Sequence, residues 1–314
     1  MKFVIISPRQ RSGGSIVLHR LCQCLNEVGY DARILYAHAV NIEGQSKEFF
    51  WTKWICRTME DLILSVLYTL LKNTPLGRSV IFKYYQYAPI KNCPKKHLPI
   101  IGEDTVLVYP DVFYGNIFNA KNVVRWFLYY NRFGKEAYGK KDLFYTYRDV
   151  FNDKTLNPVN RKLYLSYFDL DLYKKTNFGY RSGKCYIVRK GKNRTDLPKS
   201  FDGPVLDDLQ EKEKVKIMNE CEYCISYDTQ TSYTAIAAIC GCISIIIPES
   251  GKTWDDYRGK GENHYGEALG FDRNEIEYAK KTAPKVIERY QNLNAAGIRA
   301  AEKFAEECKS YFGM

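Results

Sequence analysis

The chain has 314 residues, of which 45% are hydrophobic and 15% aromatic, and it carries a formal net charge of +11 at pH 7. This apolar content excludes a disordered chain, and the length predicts two domains of about 150 residues each. The charge favours anionic partners, such as nucleoside diphosphates, acidic lipid surfaces or nucleic acid. A basic surface without a specific partner would show the same charge.

The N-terminal region predicts the start of an α/β domain. An apolar strand at Lys2–Ser7 leads into a basic, glycine-rich loop at residues 9–15, a helix at residues 16–28 and a second strand at Asp31–Tyr36. This order is typical of a βαβ unit, although the loop lacks the G-x-G-x-x-G dinucleotide fingerprint. The sequence shows no hydrophobic region of a signal peptide, so we expect a cytoplasmic protein whose ten cysteines are reduced.

Residues 51–87 interrupt the alternation of strands and helices. Their apolar run at residues 62–71 predicts a helix that is too short to cross a bilayer and is flanked by lysines and arginines. Two interpretations remain open. The run is either a core or lid helix, inserted in the first domain at about residues 50–90, or an interfacial helix that contacts an anionic membrane.

The first domain is predicted to continue with a strand at residues 104–109, a helix at 123–130 and a strand at 143–147. Asp111 follows the first of these strands, where it could accept a proton from an acceptor hydroxyl or simply form a turn. His38, after the second strand of the chain, is the other catalytic candidate. His19 lies on an apolar helical stretch and is expected to be packed in the core. A polar, tyrosine-rich connection is predicted at residues 157–173.

The second domain is predicted from a strand at residues 184–188, a helix at 208–220, a strand at 223–227 and a strand at 243–247. A helix of small residues, ending at Gly241, separates the last two strands. The C-terminal region from residue 275 to 311 predicts one or two polar helices, broken at Pro284.

Two loops of this second domain have the chemistry of a phosphate site. The basic run 189–194 directly follows a strand, at the end where ligands bind in open parallel sheets. A polar loop with Asp228, Thr231 and Ser232 opens the helix of small residues, and free amides at a helix start favour anions. The alternative for the basic run is a solvated turn. The candidate binding residues of this domain are Arg189, Lys192, Tyr227, Thr231, Ser232 and Glu249, and those of the glycine-rich loop in the first domain are Gly13, Gly14 and Ser15.

Cysteines at Cys221-x-x-Cys224 and Cys240-x-Cys242 could suggest a metal site. Most of them lie in apolar runs, where buried thiols are common, and no nearby histidine completes a zinc set. We therefore predict no metal site.

Several of these segments together resemble GT-B glycosyltransferases, and nearly the whole chain takes part in the resemblance. The similar motifs are Ser12-Gly13-Gly14-Ser15, the basic loop 189–194 and the unit of small helix, Cys-Gly turn, strand and proline within 223–249. Tyr109-Pro110-Asp111, Gly115-Asn116 and residues 119–126 also resemble bacterial surface-polysaccharide members, of the capsule or O-antigen type.

The resemblance implies two Rossmann-like β/α/β domains facing across a cleft. Residues 1–160 would form the acceptor domain, residues 161–285 the donor-nucleotide domain and residues 286–314 a C-terminal helix. It further implies a nucleotide-sugar donor as co-substrate, no permanently bound cofactor, no required metal and a glycan or lipid-linked acceptor. It favours a retaining hexosyltransferase that acts at the inner face of the cell membrane.

One position departs from the family pattern. Asp228 matches the first of two acidic positions, which in the family faces the donor sugar, and is therefore a catalytic candidate beside Asp111 and His38. The second acidic position falls on Ile236. In the family this second carboxylate accepts hydrogen bonds from the ribose hydroxyls. A non-catalytic GT-B-like subunit that binds a glycan or a partner transferase is therefore the alternative. Nucleic-acid binding is not predicted, because the basic residues are spread along the chain.

Overall fold

The computed structural model describes residues 1–8, 12–37, 92–96, 100–258 and 263–314, with scattered residues between 48 and 90. His38, most of the predicted insertion at residues 50–90 and all but two residues of the apolar run 62–71 lie outside the described residues. The chain divides into two compact units. The first is Met1–Tyr167 with Leu293–Met314, and the second is Phe168–Asn292.

The first unit contains a parallel five-stranded sheet in the order β2-β1-β3-β4-β5. Its strands are β1 (Lys2–Ser7), β2 (Asp31–Tyr36), β3 (Thr105–Pro110), β4 (Asn122–Phe127) and β5 (Leu143–Thr146). Helix α1 (Gly13–Glu27) connects β1 to β2. Every residue of β3, β4 and β5 is buried, which explains why these strands are nearly continuous apolar runs.

The helix predicted at residues 123–130 is wrong, because this segment forms β4. Its sequence is rich in β-branched and aromatic residues, and it pairs with β3 on one side and β5 on the other. A short apolar run fits a buried strand and a buried helix equally well when only its periodicity is considered.

The second unit contains a parallel four-stranded sheet in the order β6-β7-β8-β9. Its strands are β6 (Lys184–Ile187), β7 (Tyr223–Ser226), β8 (Ile243–Ile246) and β9 (Glu267–Leu269). Its first helices are α2 (Glu211–Glu220), α3 (Tyr233–Cys240) and α4 (Trp254–Arg258). The predicted α/β class with parallel strands is confirmed. The sequence did not predict β9 or α4.

The C-terminal helix α5 (Arg273–Phe312) is continuous, and the break predicted at Pro284 is wrong. Ala279, before the proline, packs with Ile245 and Ala268, and Val286, after it, packs in the larger apolar core of the second unit. Buried contacts on both sides of the proline therefore support the helix, although Pro284 cannot donate a backbone hydrogen bond. Among the helices of the described residues, none is long and apolar enough to cross a membrane.

Candidate functional site

The carboxyl edge of the second sheet gathers most of the predicted binding residues. Strands β6, β7 and β8 are parallel and paired in register, so the segments that follow them leave the sheet at the same edge. The basic turn, residues 189–194, follows β6, and Tyr227–Ser232 follows β7. Glu249 comes after β8, is exposed, and is positioned by its backbone N–H, which donates to the Tyr257 hydroxyl at 2.7 Å.

The backbone of the basic turn is fixed by a carboxylate that the sequence analysis did not identify. Arg189 has a φ of +34°, in the left-handed region that non-glycine residues seldom adopt. Its N–H donates to one carboxylate oxygen of Asp207 at 2.6 Å, and the Val188 N–H donates to the other at 3.1 Å. Asp207 thus holds the conformation in which the cationic side chains leave the end of β6.

Gly191 brings the basic turn close to the end of β7. A Cβ atom at this position would lie 2.4 Å from the carbonyl oxygen of Tyr227, a distance that side-chain carbons do not reach. Only glycine therefore allows the turn to pack directly on the Tyr227 backbone. This contact explains the glycine within the basic run.

Arg194 belongs to the basic run but has a structural function. Its guanidinium donates to the carbonyl oxygens of Tyr227, Ile247 and Pro248 and makes two further hydrogen bonds to the Asp196 carboxylate. These bonds join the ends of β7 and β8 and use all five donors of the guanidinium. Arg189, Lys190 and Lys192 are the exposed cations of the turn.

The basic turn contacts the N-terminus of α3. The Arg189 guanidinium carbon lies 5.2 Å from the centroid of the Tyr233 ring, and Tyr233 is the first residue of that helix. The Tyr233 hydroxyl in turn donates to Glu211 at 2.5 Å, which fixes the ring. Lys192 is exposed and makes no ion pair with any described residue. Its charge is therefore available to a ligand.

The first turn of α3 offers both hydroxyls and amides. The Thr231 hydroxyl accepts a hydrogen bond from the Tyr233 N–H at 3.2 Å, whereas the exposed Ser232 side chain makes no capping bond. The following amides of the first turn have no acceptor within the helix. Together with the helix dipole, they favour an anion at this position.

Asp228 is the most unusual polar group of this edge. The residue is only 2% exposed, and one carboxylate oxygen accepts the Gln230 N–H at 3.1 Å. The other oxygen, Oδ2, is buried and has no hydrogen-bond partner among the described residues. Buried polar atoms in native proteins are nearly always paired, so this unpaired carboxylate oxygen is an exception at this edge of the sheet.

Ile236 is the fourth residue of α3, and its side chain is buried. It is 4% exposed and belongs to the apolar core of the second unit, with Cys185, Met218 and Val286. The position at which the GT-B resemblance places a second acidic residue is thus a core position in this chain. A carboxylate at this place would face apolar side chains.

In the first unit, Ser15 takes part in the N-terminal cap of α1. Ser12 and Ser15 form a reciprocal cap, in which each side-chain oxygen accepts the backbone N–H of the other residue at 3.0–3.2 Å. A Cβ atom at Gly13 would meet nothing within 4 Å, and one at Gly14 would make only ordinary contacts with Leu128 and Ser12. Packing therefore requires neither glycine, and their binding role stays a prediction.

Asp111 is buried at the end of β3, and its Oδ1 accepts the N–H of Leu128 at 3.0 Å. Burial raises the pKa of its carboxyl group above the ordinary value, although hydrogen bonds from backbone amides oppose this rise. The next residues after Leu128 begin an exposed aromatic cluster of Tyr129, Tyr130 and Phe151, whose ring centroids are 4.9–5.2 Å apart. No local sequence pattern predicts this cluster, because Phe151 lies 21 residues after Tyr130.

His19 is packed, as predicted. Its ring nitrogens lie 2.6 Å from the Ser15 carbonyl oxygen and 2.8 Å from the Tyr36 hydroxyl, and burial lowers its pKa. The imidazole is therefore held in place by two structural partners.

All ten cysteines are free thiols. Cys221, Cys224 and Cys242 lie around Cys185, and Cys185 and Cys224 are direct neighbours in the pairing of β6 with β7. All four are buried in the apolar core. The described part of the chain contains no group of three or more His, Cys, Asp or Glu side chains that could hold a metal ion.

No protein-family model matches this chain, and no curated protein sequence matches it. Among solved structures, the chain is similar to the spinosyn forosaminyltransferase SpnP, with 9% identity, a TM-score of 0.35 and coverage of 100% of both chains. T4 phage BGT in complex with UDP-glucose gives 9% identity and a TM-score of 0.35, over 100% of this chain and 98% of that one. The glycosyltransferase SnogD from Streptomyces nogalater gives 10% identity and a TM-score of 0.33, over 98% of this chain and 99% of that one. TM-scores this low carry no argument about activity.

Proposed function

We propose that the chain is a glycosyltransferase that moves a sugar from a nucleotide-sugar donor to a glycan or lipid-linked acceptor of a bacterial cell surface. One observation carries this proposal. An exposed cationic turn, the N-terminus of α3 and the Asp228 carboxylate, which has one unpaired oxygen, lie together at the carboxyl edge of one parallel sheet. Cations and amides suit a diphosphate, and an unpaired carboxylate oxygen suits a sugar hydroxyl.

The diphosphate would bind to Arg189, Lys192 and the first turn of α3. Arg189 offers a planar pair of donors and Lys192 a mobile point charge, while the Thr231 and Ser232 hydroxyls lie beside the free amides. Oδ2 of Asp228 would accept a hydrogen bond from a hydroxyl of the donor sugar. This bond would compensate the cost of burying an unpaired carboxylate oxygen.

The ribose hydroxyls need another acceptor, because Ile236 cannot supply one. Glu249 is exposed at the same edge, and the Tyr257 hydroxyl positions its backbone. We assign the ribose hydroxyls to Glu249, with the Tyr227 ring beside the phosphates. This assignment needs no metal and no permanently bound cofactor.

In the first unit, Asp111 is the group that we propose to accept the proton of the acceptor hydroxyl. Its raised pKa makes its carboxylate a stronger base than an exposed aspartate. The exposed rings of Tyr129 and Tyr130 directly follow Leu128, whose N–H donates to Asp111, and aromatic faces can stack on a sugar ring. Gly13, Gly14 and Ser15 remain candidates for the acceptor side, and His38 remains a catalytic candidate.

The test is the release of nucleoside diphosphate from a panel of nucleotide sugars, with glycan and lipid-linked acceptors added in turn. We expect turnover with at least one donor, and a marked loss in Lys192→Ala. Lys212→Ala, an exposed lysine on α2, should keep full activity. Failure of all donors to bind would contradict the proposal. The anomeric configuration of the product tests the retaining mechanism that the resemblance favours.

A non-catalytic binding subunit is the second candidate, and the apolar surroundings of Ile236 favour it. Such a subunit would bind a glycan or a partner transferase but would not turn over any nucleotide sugar. Binding without turnover in the same panel would select this alternative.

A further inference from the structure

A loop of the second unit, residues 174–181, presents two aromatic side chains to solvent. Phe178 is 81% exposed and Tyr180 is 88% exposed, the highest values for large hydrophobic residues in the described part of the chain. Soluble proteins expose single apolar side chains routinely. Here two highly exposed aromatic rings, separated by one residue in the same loop, together form a small apolar protrusion.

This loop is held rigidly at its base. The side-chain oxygen of Asn219, a buried residue of α2, accepts the N–H groups of Thr176 and Asn177 at 2.6 and 3.2 Å. The Asn177 amide nitrogen donates to the carbonyl oxygens of Asn219 and Tyr180, and its side-chain oxygen accepts the Gly179 N–H. The backbone that carries both rings is therefore ordered before any partner binds.

The other end of the loop is fixed by Arg181. Its guanidinium donates to the carbonyl oxygens of Met218, Cys221 and Cys240, at the C-terminal ends of α2 and α3. These helix ends lie at the amino edge of the second sheet. The loop therefore protrudes on the side of this unit opposite to the carboxyl edge, so both could be occupied at once.

The charged side chains of the loop segment itself are all positive. Residues 174–184 contain Lys174, Lys175, Arg181 and Lys184 and no acidic residue. Lys184 pairs with Asp202 and Arg181 is used at the helix ends, so Lys174 and Lys175 are the cations that remain exposed. The Lys175 ammonium lies 5.3 Å from the centroid of the Phe178 ring. Two lysines therefore flank the aromatic tip.

We propose that the loop 174–181 docks this protein on an anionic lipid bilayer. Phe178 and Tyr180 would enter the interfacial region, where aromatic rings are favoured, and Lys174 and Lys175 would contact lipid phosphates. A protrusion with a cationic base fits a bilayer surface better than it fits a protein pocket, because it needs no complementary cavity. The rigid base also removes the cost of ordering the loop on binding. The inference is independent of the sugar-transfer function.

The experiment is flotation of the purified full chain with vesicles of phosphatidylcholine alone and of equal parts phosphatidylcholine and phosphatidylglycerol. We expect the protein to bind the acidic vesicles only, and we expect the bound fraction to decrease with added salt. The double variant Phe178→Ala/Tyr180→Ala should bind at least about tenfold more weakly. Lys175→Ala should bind about fivefold more weakly, as expected for one lysine near an acidic surface. Phe271→Ala and Lys212→Ala, which change exposed residues elsewhere in the same unit, are the matched controls.

A second measurement tests the depth of the loop directly. In Phe178→Trp, the added tryptophan fluorescence should be quenched by brominated phospholipid in acidic vesicles, relative to the wild-type chain with its four tryptophans. The substituted side chains point into solvent, so all variants should keep the wild-type melting temperature. The proposal is overturned if the wild type does not bind acidic vesicles, if the double alanine variant binds them as tightly as the wild type, or if the new tryptophan is not quenched. Loss of a protein partner with intact vesicle binding would identify the loop as a protein interface.

Discussion

Asp228→Asn should make the unliganded protein more stable and the donor complex weaker. The wild-type carboxylate is buried, and its Oδ2 atom has no partner among the described residues. Asparagine keeps the oxygen that accepts the Gln230 N–H and replaces Oδ2 with a neutral group of similar size. Removing an unpaired buried charge should raise the free energy of unfolding by about 1–2 kcal/mol.

The same change should weaken the binding of a nucleotide sugar. A hydroxyl of the donor can donate to a carboxylate oxygen but not to an amide NH₂ group in that place. A hydrogen bond to a charged group contributes about 1.5–3 kcal/mol, so the dissociation constant should rise by roughly 10- to 150-fold. The nucleoside diphosphate alone lacks the sugar and should lose much less affinity.

Urea denaturation and calorimetric titration of the same preparation measure both effects. Asp208→Asn removes the same charge from an exposed position of the second unit and should leave stability and affinity unchanged. A destabilised Asp228→Asn variant that binds the donor normally would show that the carboxylate is a structural group, and it would refute the assignment of Oδ2 to the sugar.

Three further substitutions test single features of the structure. Ile236→Glu buries an unpaired charge in the apolar core and should lower the free energy of unfolding by about 3 kcal/mol or more. The control Ile236→Val should lower it by about 1 kcal/mol. A stable glutamate variant with tighter donor binding would contradict the core position. Gly191→Ala places a Cβ atom 2.4 Å from the Tyr227 carbonyl oxygen, so denaturation should show a loss of about 1–3 kcal/mol, whereas Gly179→Ala should be close to neutral. For Asp111, the raised pKa means that the folded state binds its proton more tightly. Wild-type stability should therefore fall relative to Asp111→Asn as the pH rises from the ordinary carboxyl pKa to the raised one, and a difference that stays constant over this window would argue against the burial effect.

The sequence was informative where local pattern decides the structure. The apolar strand at Lys2–Ser7 and the helix that ends at Gly241, which has a φ of +97°, follow from runs of neighbouring residues. β4 was misassigned, because its six residues are buried on both faces and show no alternation. Pro284 was expected to break a helix that the packing of Ala279 and Val286, on its two sides, keeps continuous.

The candidate site was predictable only in part, because its geometry depends on contacts between distant residues. Strand ends and cations indicated the basic turn, but the roles of Asp207 and Arg194 rest on bonds across 18 to 54 positions of the chain. The unpaired oxygen of Asp228 is likewise a property of its burial in the fold. No pattern in the sequence around Asp228 signals that one oxygen lacks a partner.

The central claim is that the carboxyl edge of the second sheet binds the diphosphate of a nucleotide. Calorimetry of the wild type and of Arg189→Ala/Lys192→Ala, with a nucleoside diphosphate and the nucleoside of the same base, tests this claim directly for each common base. The account predicts that the double substitution strongly weakens diphosphate binding and hardly changes nucleoside binding. Equal losses for both ligands, or unchanged affinity for the diphosphate, would contradict it.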